Sequence, residues 1–150
     1  MERTLIIFKP DAMNRMLVGR ILTRFEEKGL RIVGLKLQQS SRAQVEQHYA
    51  VHKQRPFYAS LVEFMTAGPV ILAVLEGPGA IAVVRNMLGA TNGREAAPGT
   101  IRGDFGLDKR YNLVHASDGP ETARFEIDLF FKPEELVSYT RAPDRWIVSE

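Results

Sequence analysis

Thr4-Leu5-Ile6-Ile7-Phe8, closed by Lys9-Pro10-Asp11, is an unbroken apolar run ended by a proline. A run without a polar face is the pattern of a strand covered on both sides. Val70-Ile-Leu-Ala-Val-Leu75, after Gly68-Pro69, repeats the pattern and predicts a second central strand. Between them, Val18, Ile21, Leu22 and Phe25 recur at helical spacing, and Lys28-Gly29 closes that helix. Val33, Leu35 and Leu37 alternate with Gly34, Lys36 and Gln38, which predicts a half-exposed strand. Ser41 caps a short helix through Tyr49, with Glu46 and Gln47 on its wet side. Gln54-Arg-Pro-Phe57 interrupts, and Phe57, Leu61, Phe64 and Met65 form the face of a second helix, making a helical hairpin. Gly77-Pro-Gly79 introduces a helix carrying Ile81, Val84 and Leu88. A short strand then ends near His115, and Pro120 opens a helix capped by Asp118 or Gly119, with Ala123, Ile127 and Phe130 as its buried stripe. This order predicts an α/β (α+β) sandwich, a ferredoxin-like split β-α-β fold with an antiparallel four-stranded sheet, an inserted helical hairpin and a long phosphate-binding loop.

One domain, 1–150, is the natural count for 150 residues, and 45% hydrophobic residues suffice for a core without disulfide or metal staples. The tail from about 132 to 150 holds a last short helix, then Tyr139, Pro143 and Trp146 without periodicity, and is expected at a surface or subunit interface. The absence of cysteine removes disulfide frameworks, thiol catalysis and zinc–cysteine sites together. The apolar run after Met1 is too short for a signal peptide or a membrane span, so a cytoplasmic protein without membrane contact is expected. A net charge of +2 does not argue for nucleic acid. The Gly77/Gly79 pair lacks the third glycine of a dinucleotide fingerprint, and no G-x-x-x-x-G-K-[ST] loop occurs.

Two segments carry chemistry. In Asn112-Leu-Val-His115-Ala-Ser-Asp118, two apolar residues lead the backbone inward to a histidine before a turn, which suits a nucleophile, a base or a metal ligand. A satisfied, half-buried histidine is the plainer alternative. Glu126 stands beside the apolar stripe of the following helix, an odd place for a carboxylate unless it is paired. The second segment, Gly89 to about Tyr111, lacks periodicity but offers Thr91, Arg94, Thr100, Arg102 and Arg110, with Arg85 just upstream, as donors for phosphate oxygens. Ile101, Phe105 and Leu107 are expected to pin it to the body.

Read together, Lys9-Pro-Asp, Gln47-His-Tyr49, Arg55-Pro-Phe57, Gly68-Pro, Gly99-Thr-Ile-Arg-Gly-Asp104 and Asn112-x-x-His115-x-Ser117-Asp118 resemble the nucleoside diphosphate kinase family, from Glu2 to Trp146 without gaps. The resemblance implies a homo-oligomer, with the hexamer favoured over the tetramer. It also implies ping-pong transfer of the γ-phosphoryl of nucleoside triphosphates to nucleoside diphosphates. By position, His115 would be the phosphorylated nucleophile, held in orientation and tautomer by Glu126 with Ser117 behind it. Arg85, Thr91 and Arg102 would bind phosphates bridged by Mg²⁺, with no metal ligand on the protein. Lys9 and Asn112 would reach the ribose, Lys9 also serving the transferred group. Tyr49 would sit beside the histidine, and Phe57 would stack on the base.

The chemistry accepts these roles. Phosphoryl transfer asks a protein for alignment and fixed positive charge. Only a neutral imidazole attacks, and a free imidazole with a pKa near ~6.5 is mostly neutral at pH 7. Stacking is indifferent to base identity, so broad nucleotide use is expected. Several positions depart from the family pattern. Ala12 and Ala116 replace glycines, tolerable where φ is negative. Lys109 replaces an aliphatic residue against the base, although a lysine stem can cover a ring. Gly93 replaces a proline, which loosens the unfolded chain. A second reading is a non-catalytic ferredoxin-like module binding nucleotide or nucleic acid. It is weakened because the basic residues form no continuous stripe and do not alternate with aromatics on a strand, so no specific nucleic acid partner is expected.

Overall fold

In the computed structural model, which describes residues 1–149, the apolar run becomes β1 (Glu2–Phe8). It is followed by α1 (Pro10–Asn14), α2 (Val18–Glu27), β2 (Arg31–Gln38), α3 (Arg42–His48), a 3-10 turn (Ala50–His52) and α4 (Tyr58–Thr66). Next come β3 (Val70–Gly77), α5 (Ala80–Leu88), α6 (Ile101–Phe105), β4 (Val114–Ala116) and α7 (Pro120–Phe130). The sheet order is β2-β3-β1-β4, every pair antiparallel. β1 is therefore central: it pairs with β3 from Glu2↔Gly77 to Phe8↔Ile71, and with β4 from Ile6↔Ala116 to Phe8↔Val114.

Alternate residues of β1 enter two cores, as a run covered on both faces requires. Ile6 and Phe8 pack with Ile21 and Phe25 of α2 and Val84 and Leu88 of α5. Leu5 and Ile7 pack with Val45, Val62 and Met65 of the helical hairpin and with Ile127 and Phe130 of α7. Burying one such side chain stabilises by about 1.5–3 kcal/mol over leaving it exposed. The hairpin starts where expected: the Ser41 hydroxyl accepts the Gln44 N–H at 3.1 Å. Among the described residues no helix is long and apolar enough to cross a membrane.

Four features differ from the sequence reading. Pro10 ends the strand but also opens α1, since its fixed φ suits a first helical turn. In β2, Val33 is a bulge between the pairs Ile32↔Leu75 and Gly34↔Val74. The extra residue reverses the faces beyond it, so Leu35 and Leu37 are 52% and 64% exposed instead of sharing the buried side of Val33. The loop from Gly89 contains α6, a single turn started by the Thr100 hydroxyl, which accepts the Gly103 N–H at 3.0 Å. Among its described residues the tail forms two 3-10 turns, Pro133–Glu135 and Ala142–Trp146, and runs beside β2, where Val137 N–H donates to the Val33 carbonyl at 2.8 Å.

The long loop is pinned by Ile101, 1% exposed, and by the partly buried Phe105, whereas Leu107 is 80% exposed and holds nothing. Its two arms also meet at glycine. Gly93 N–H donates to the Asp108 carbonyl at 3.1 Å, and a Cβ at Gly93 would lie 2.4 Å from the carbonyl carbon and oxygen of Gly106. The residue that loosens the unfolded chain is thus required by a backbone approach in the folded one. Gly93→Ala is expected to destabilise by about 1–3 kcal/mol through forced backbone displacement. Gly19→Ala, in α2 with nothing within 4 Å of its Cβ, is expected to gain about 0.5–1 kcal/mol. Thermal unfolding of the two variants measures both, and a Gly93→Ala midpoint at or above the parent's would exclude the close-approach explanation.

Candidate active site

β4 is three residues long because the backbone entering it is bent. Leu113, fully buried, has φ +76°, a left-handed conformation that costs a side-chain-bearing residue roughly 1–2 kcal/mol. Two bonds hold it there: its N–H donates to Asp11 Oδ2 at 3.0 Å, and its carbonyl accepts the Lys9 N–H at 2.9 Å. The segment Lys9-Pro10-Asp11 and the start of β4 are therefore fixed to each other, and both supply side chains to one cleft. That cleft has a volume of about 760 Å³ and is lined by Lys9, Tyr49, Phe57, Arg85, Thr91, Arg102, Asn112, His115 and Glu126, among others.

His115 leaves β4 toward this cleft with its side chain 23% exposed. Its Nε2 lies 2.6 Å from Oε2 of Glu126, which α7 brings in from its buried face, and the Glu126 residue is 3% exposed. Burial pushes the Glu126 carboxyl up, but the His115 hydrogen bond and charge, with His48 and Ser117, hold it below its ordinary value. Such a carboxylate fixes a neighbouring ring's tautomer and orientation. Ser117, fully buried, accepts the Leu5 N–H at 3.2 Å and so ties the end of β4 to β1.

The same cleft is lined by cations, two of them arginines with no carboxylate partner among the described residues. Arg102 donates to the carbonyls of Asn112 (3.3 Å), Gly89 (3.2 Å) and Val114 (2.6 Å), and Arg85 donates to that of Ala116 at 3.3 Å. Among the described residues neither has a carboxylate within 4.0 Å. Burial, then the charge of Arg85, pulls the Arg102 guanidinium down to about 10. Lys9, 6% exposed, donates from Nζ to the Arg110 carbonyl at 2.9 Å. Burial brings the Lys9 ammonium down to about 8; Asp11 opposes that shift, and Arg102 and Arg110 add to it. Converging, desolvated positive charge is the electrostatic form of an anion site.

The remaining candidates divide. Asn112 donates to the carbonyls of Thr91 (3.0 Å) and Lys109 (2.9 Å), which leaves its buried Oδ1 without a partner. Tyr49 lies with its ring centroid 6.5 Å from that of His115, and burial pushes its hydroxyl pKa up. Phe57 is 42% exposed on the cleft wall, and Lys109 shares that wall. Arg94 and Thr100 do not line the cleft: Arg94 is exposed, and the Thr100 hydroxyl is committed to α6. Arg110 does line it, donating to Ser60 Oγ at 2.7 Å. Ala12 and Ala116 sit at negative φ, because among the described non-glycine residues only Met16 and Leu113 are positive.

The sequence reading passed over one residue at the centre. His48 of α3 is 8% exposed, its Nε2 lies 3.3 Å from the same Glu126 oxygen, and its ring stands edge-on to His115 at 4.7 Å. Burial, reinforced by His115 and partly opposed by Glu126, drives the imidazole down to about 3, so it stays neutral. The signal was present: His48 follows Val45 by three residues on the buried face of its helix, the same anomaly that marked Glu126.

Comparison with known proteins places the chain among relatives of one family. The family model described as "Nucleoside diphosphate kinase" matches residues 2–136. A nucleoside diphosphate kinase of Roseiflexus castenholzii is 56% identical over 147 residues, covering 98% of this chain and 99% of that protein. One of Archaeoglobus fulgidus is 52% identical over 150 residues, covering 100% and 99%. Among solved structures, a nucleoside diphosphate kinase family protein from Babesia bovis superposes with a TM-score of 0.96 at 47% identity, covering 99% of this chain and 100% of that one. A halophilic nucleoside diphosphate kinase from Halobacterium salinarum in complex with CDP does so with 0.96 at 45%, covering 99% of each. On its sequence and its fold, the chain belongs to the nucleoside diphosphate kinase family.

Proposed function

We propose that the chain moves the γ-phosphoryl of a nucleoside triphosphate onto His115 and from there onto a nucleoside diphosphate, with broad tolerance of base and sugar. The observation that carries this reading is the 2.6 Å contact between His115 Nε2 and Glu126 Oε2, in one cleft with Arg85 and Arg102, which have no carboxylate partner among the described residues. With Nε2–H donated to Glu126, Nδ1 holds the lone pair that attacks phosphorus. The P–O bond to the β-phosphate breaks and the diphosphate leaves with its electrons. The ring becomes a phosphoimidazolium whose charge is neutralised by the Glu126 carboxylate. The second diphosphate reverses these movements.

Lys9, Arg85, Thr91 and Arg102 bind the phosphates, Lys9 following the transferred group. Asn112, on the cleft wall, reaches the ribose hydroxyls, Tyr49 flanks the histidine, and Phe57 stacks on the base. Mg²⁺ prefers oxygen ligands. The three-residue ligand cluster found among the described residues, His48, His115 and Glu126, offers mainly nitrogen. The ion would therefore arrive on the nucleotide, with Asp118 of the cleft wall available to its waters. When bound it would supply positive charge between phosphate oxygens. Residence in the cytoplasm and assembly into a homo-oligomer, a hexamer in preference to a tetramer, belong to the same proposal. The exposed Leu35 and Leu37 on edge strand β2, with Trp146 in the tail at 79% exposure, supply apolar surface for assembly.

Incubation with γ-labelled ATP and Mg²⁺, without acceptor, is expected to give acid-labile, base-stable label that GDP or a pyrimidine diphosphate removes. Native protein that takes no transferable label would defeat the reading. His115→Ala is expected to lose label completely. Glu126→Gln, which keeps a contact but removes the neutralising charge, is expected to slow labelling roughly 10²-fold or more. Lys9 supplies a pH test. Its folded pKa of about 8 lies below its ordinary 10.5, so the unfolded chain holds more protons between these values. Stability should then rise with pH across that window, by at most about 3 kcal/mol from this residue. Denaturant unfolding of the parent and Lys9→Met at pH 7.5 and 9.5 checks the sign: any advantage of the variant must shrink at the higher pH, and a constant difference would contradict it.

A further inference from the structure

We propose that His48, His115 and Glu126 form a binding site for a borderline divalent transition-metal ion of the Zn²⁺ class, and that occupation of this site switches the histidine off. His48, His115 and Glu126 each offer one ligand atom, and these atoms all lie within 4.8 Å of one another; both Nε2 atoms approach Glu126 Oε2, at 3.3 and 2.6 Å. Two imidazole nitrogens and one carboxylate, with a fourth position open to a cleft, are the donor set of many catalytic zinc sites. Such a site places donor atoms about 2.0–2.2 Å from the metal, hence roughly 3.3–3.5 Å from one another. The His48–Glu126 separation of 3.3 Å already has that spacing. The His115–Glu126 separation of 2.6 Å must open by less than an ångström, and His115, at 23% side-chain exposure, faces the space into which it would move.

Two further observations favour a cation here. Glu126 Oε1 is buried without a close hydrogen bond, so beyond the two imidazoles this carboxylate is stabilised only through Ser117. The three ligands stand on α3, α7 and β4; α3 and α7 share one apolar core and β4 is held by its pairing with β1, which lowers the ordering cost of binding. Mg²⁺ does not compete well, because it selects oxygen and keeps its waters.

The chemical consequence follows from the tautomer. The metal takes the Nε2 lone pairs of two neutral imidazoles and a carboxylate oxygen. Each ring's Nε2 proton transfers through solvent to Nδ1, so no proton is released overall. Nδ1 of His115 then carries hydrogen instead of a lone pair and cannot attack phosphorus. This off-state rests on the reading of His115 as nucleophile, whereas the metal site itself does not.

The test separates the two. Metal-stripped protein, without nucleotide or Mg²⁺, is dialysed against chelator-buffered Zn²⁺. One ion per chain is expected, with affinity reduced at least about tenfold in His48→Gln and in Glu126→Gln, by analogy with losses of metal-site support. No stoichiometric uptake, or uptake indifferent to both substitutions, would overturn the site. Because a variant of a buried histidine can misfold, Co²⁺ is added to the unmutated chain as well. Intense visible absorption of a four-coordinate ion supports the site, and the weak spectrum of a six-coordinate aquo-like ion overturns it. Zinc-loaded protein given γ-labelled ATP with excess Mg²⁺ is expected to take up no label until a chelator is added. Full labelling with zinc still bound would leave the site standing and overturn the role given to His115.

Discussion

A carboxylate taken out of water must be compensated, at a cost of several kcal/mol if it is not. Glu126, 3% exposed, is compensated by His115 at 2.6 Å and His48 at 3.3 Å. That requirement ties α7, β4 and α3 to one point. It also makes one ring nitrogen a committed donor and leaves the other to the cleft. The orientation of the His115 ring is thus a by-product of satisfying a buried charge. Packing holds the arrangement, since Ile127 and Phe130 on α7 and Val45 on α3 belong to the same apolar cluster as Leu5 and Ile7 of β1.

Elsewhere in the cleft the balance is incomplete. Lys9, Arg85 and Arg102 are bonded to backbone carbonyls, which satisfy donors without cancelling charge. Like charges held together in a desolvated wall repel, and an anion that enters relieves the repulsion. Ligand binding to such a site stabilises the folded state by mass action. The left-handed Leu113 contributes in a similar way: its backbone strain is held by Asp11 and by the Lys9 N–H, and the same bonds set Lys9 beside the start of β4. A strained residue at a functional site fits the general pattern in which surrounding structure over-determines an unfavourable conformation.

The bulge at Val33 shows how a single residue redirects a surface. Periodicity in β2 reads Val33, Leu35 and Leu37 as one face, and pairing with β3 divides them. The two leucines thereby become an apolar strip on an edge strand of the chain. Similarly, Gly93 in the long loop is needed because another backbone segment passes within contact of its Cα, a circumstance that no local pattern encodes.

Runs of apolar residues, helical spacing and turn residues sufficed by themselves for four strands, the main helices and their order, because these depend on neighbours two to four residues apart. The sequence also marked His115, Glu126 and the arginines of the loop, since a polar group at an apolar position and a structureless basic loop are both locally anomalous. What only the tertiary structure decided are relations between distant segments. His48 and His115 share one carboxylate oxygen although they are far apart in the chain. Thr100 is spent on a helix cap while Arg102, two residues on, reaches the cleft. Leu113 adopts a left-handed turn because Asp11 holds its N–H. Each of these is fixed by the requirement that buried polar groups find partners, and partners are assigned only when the chain has closed on itself.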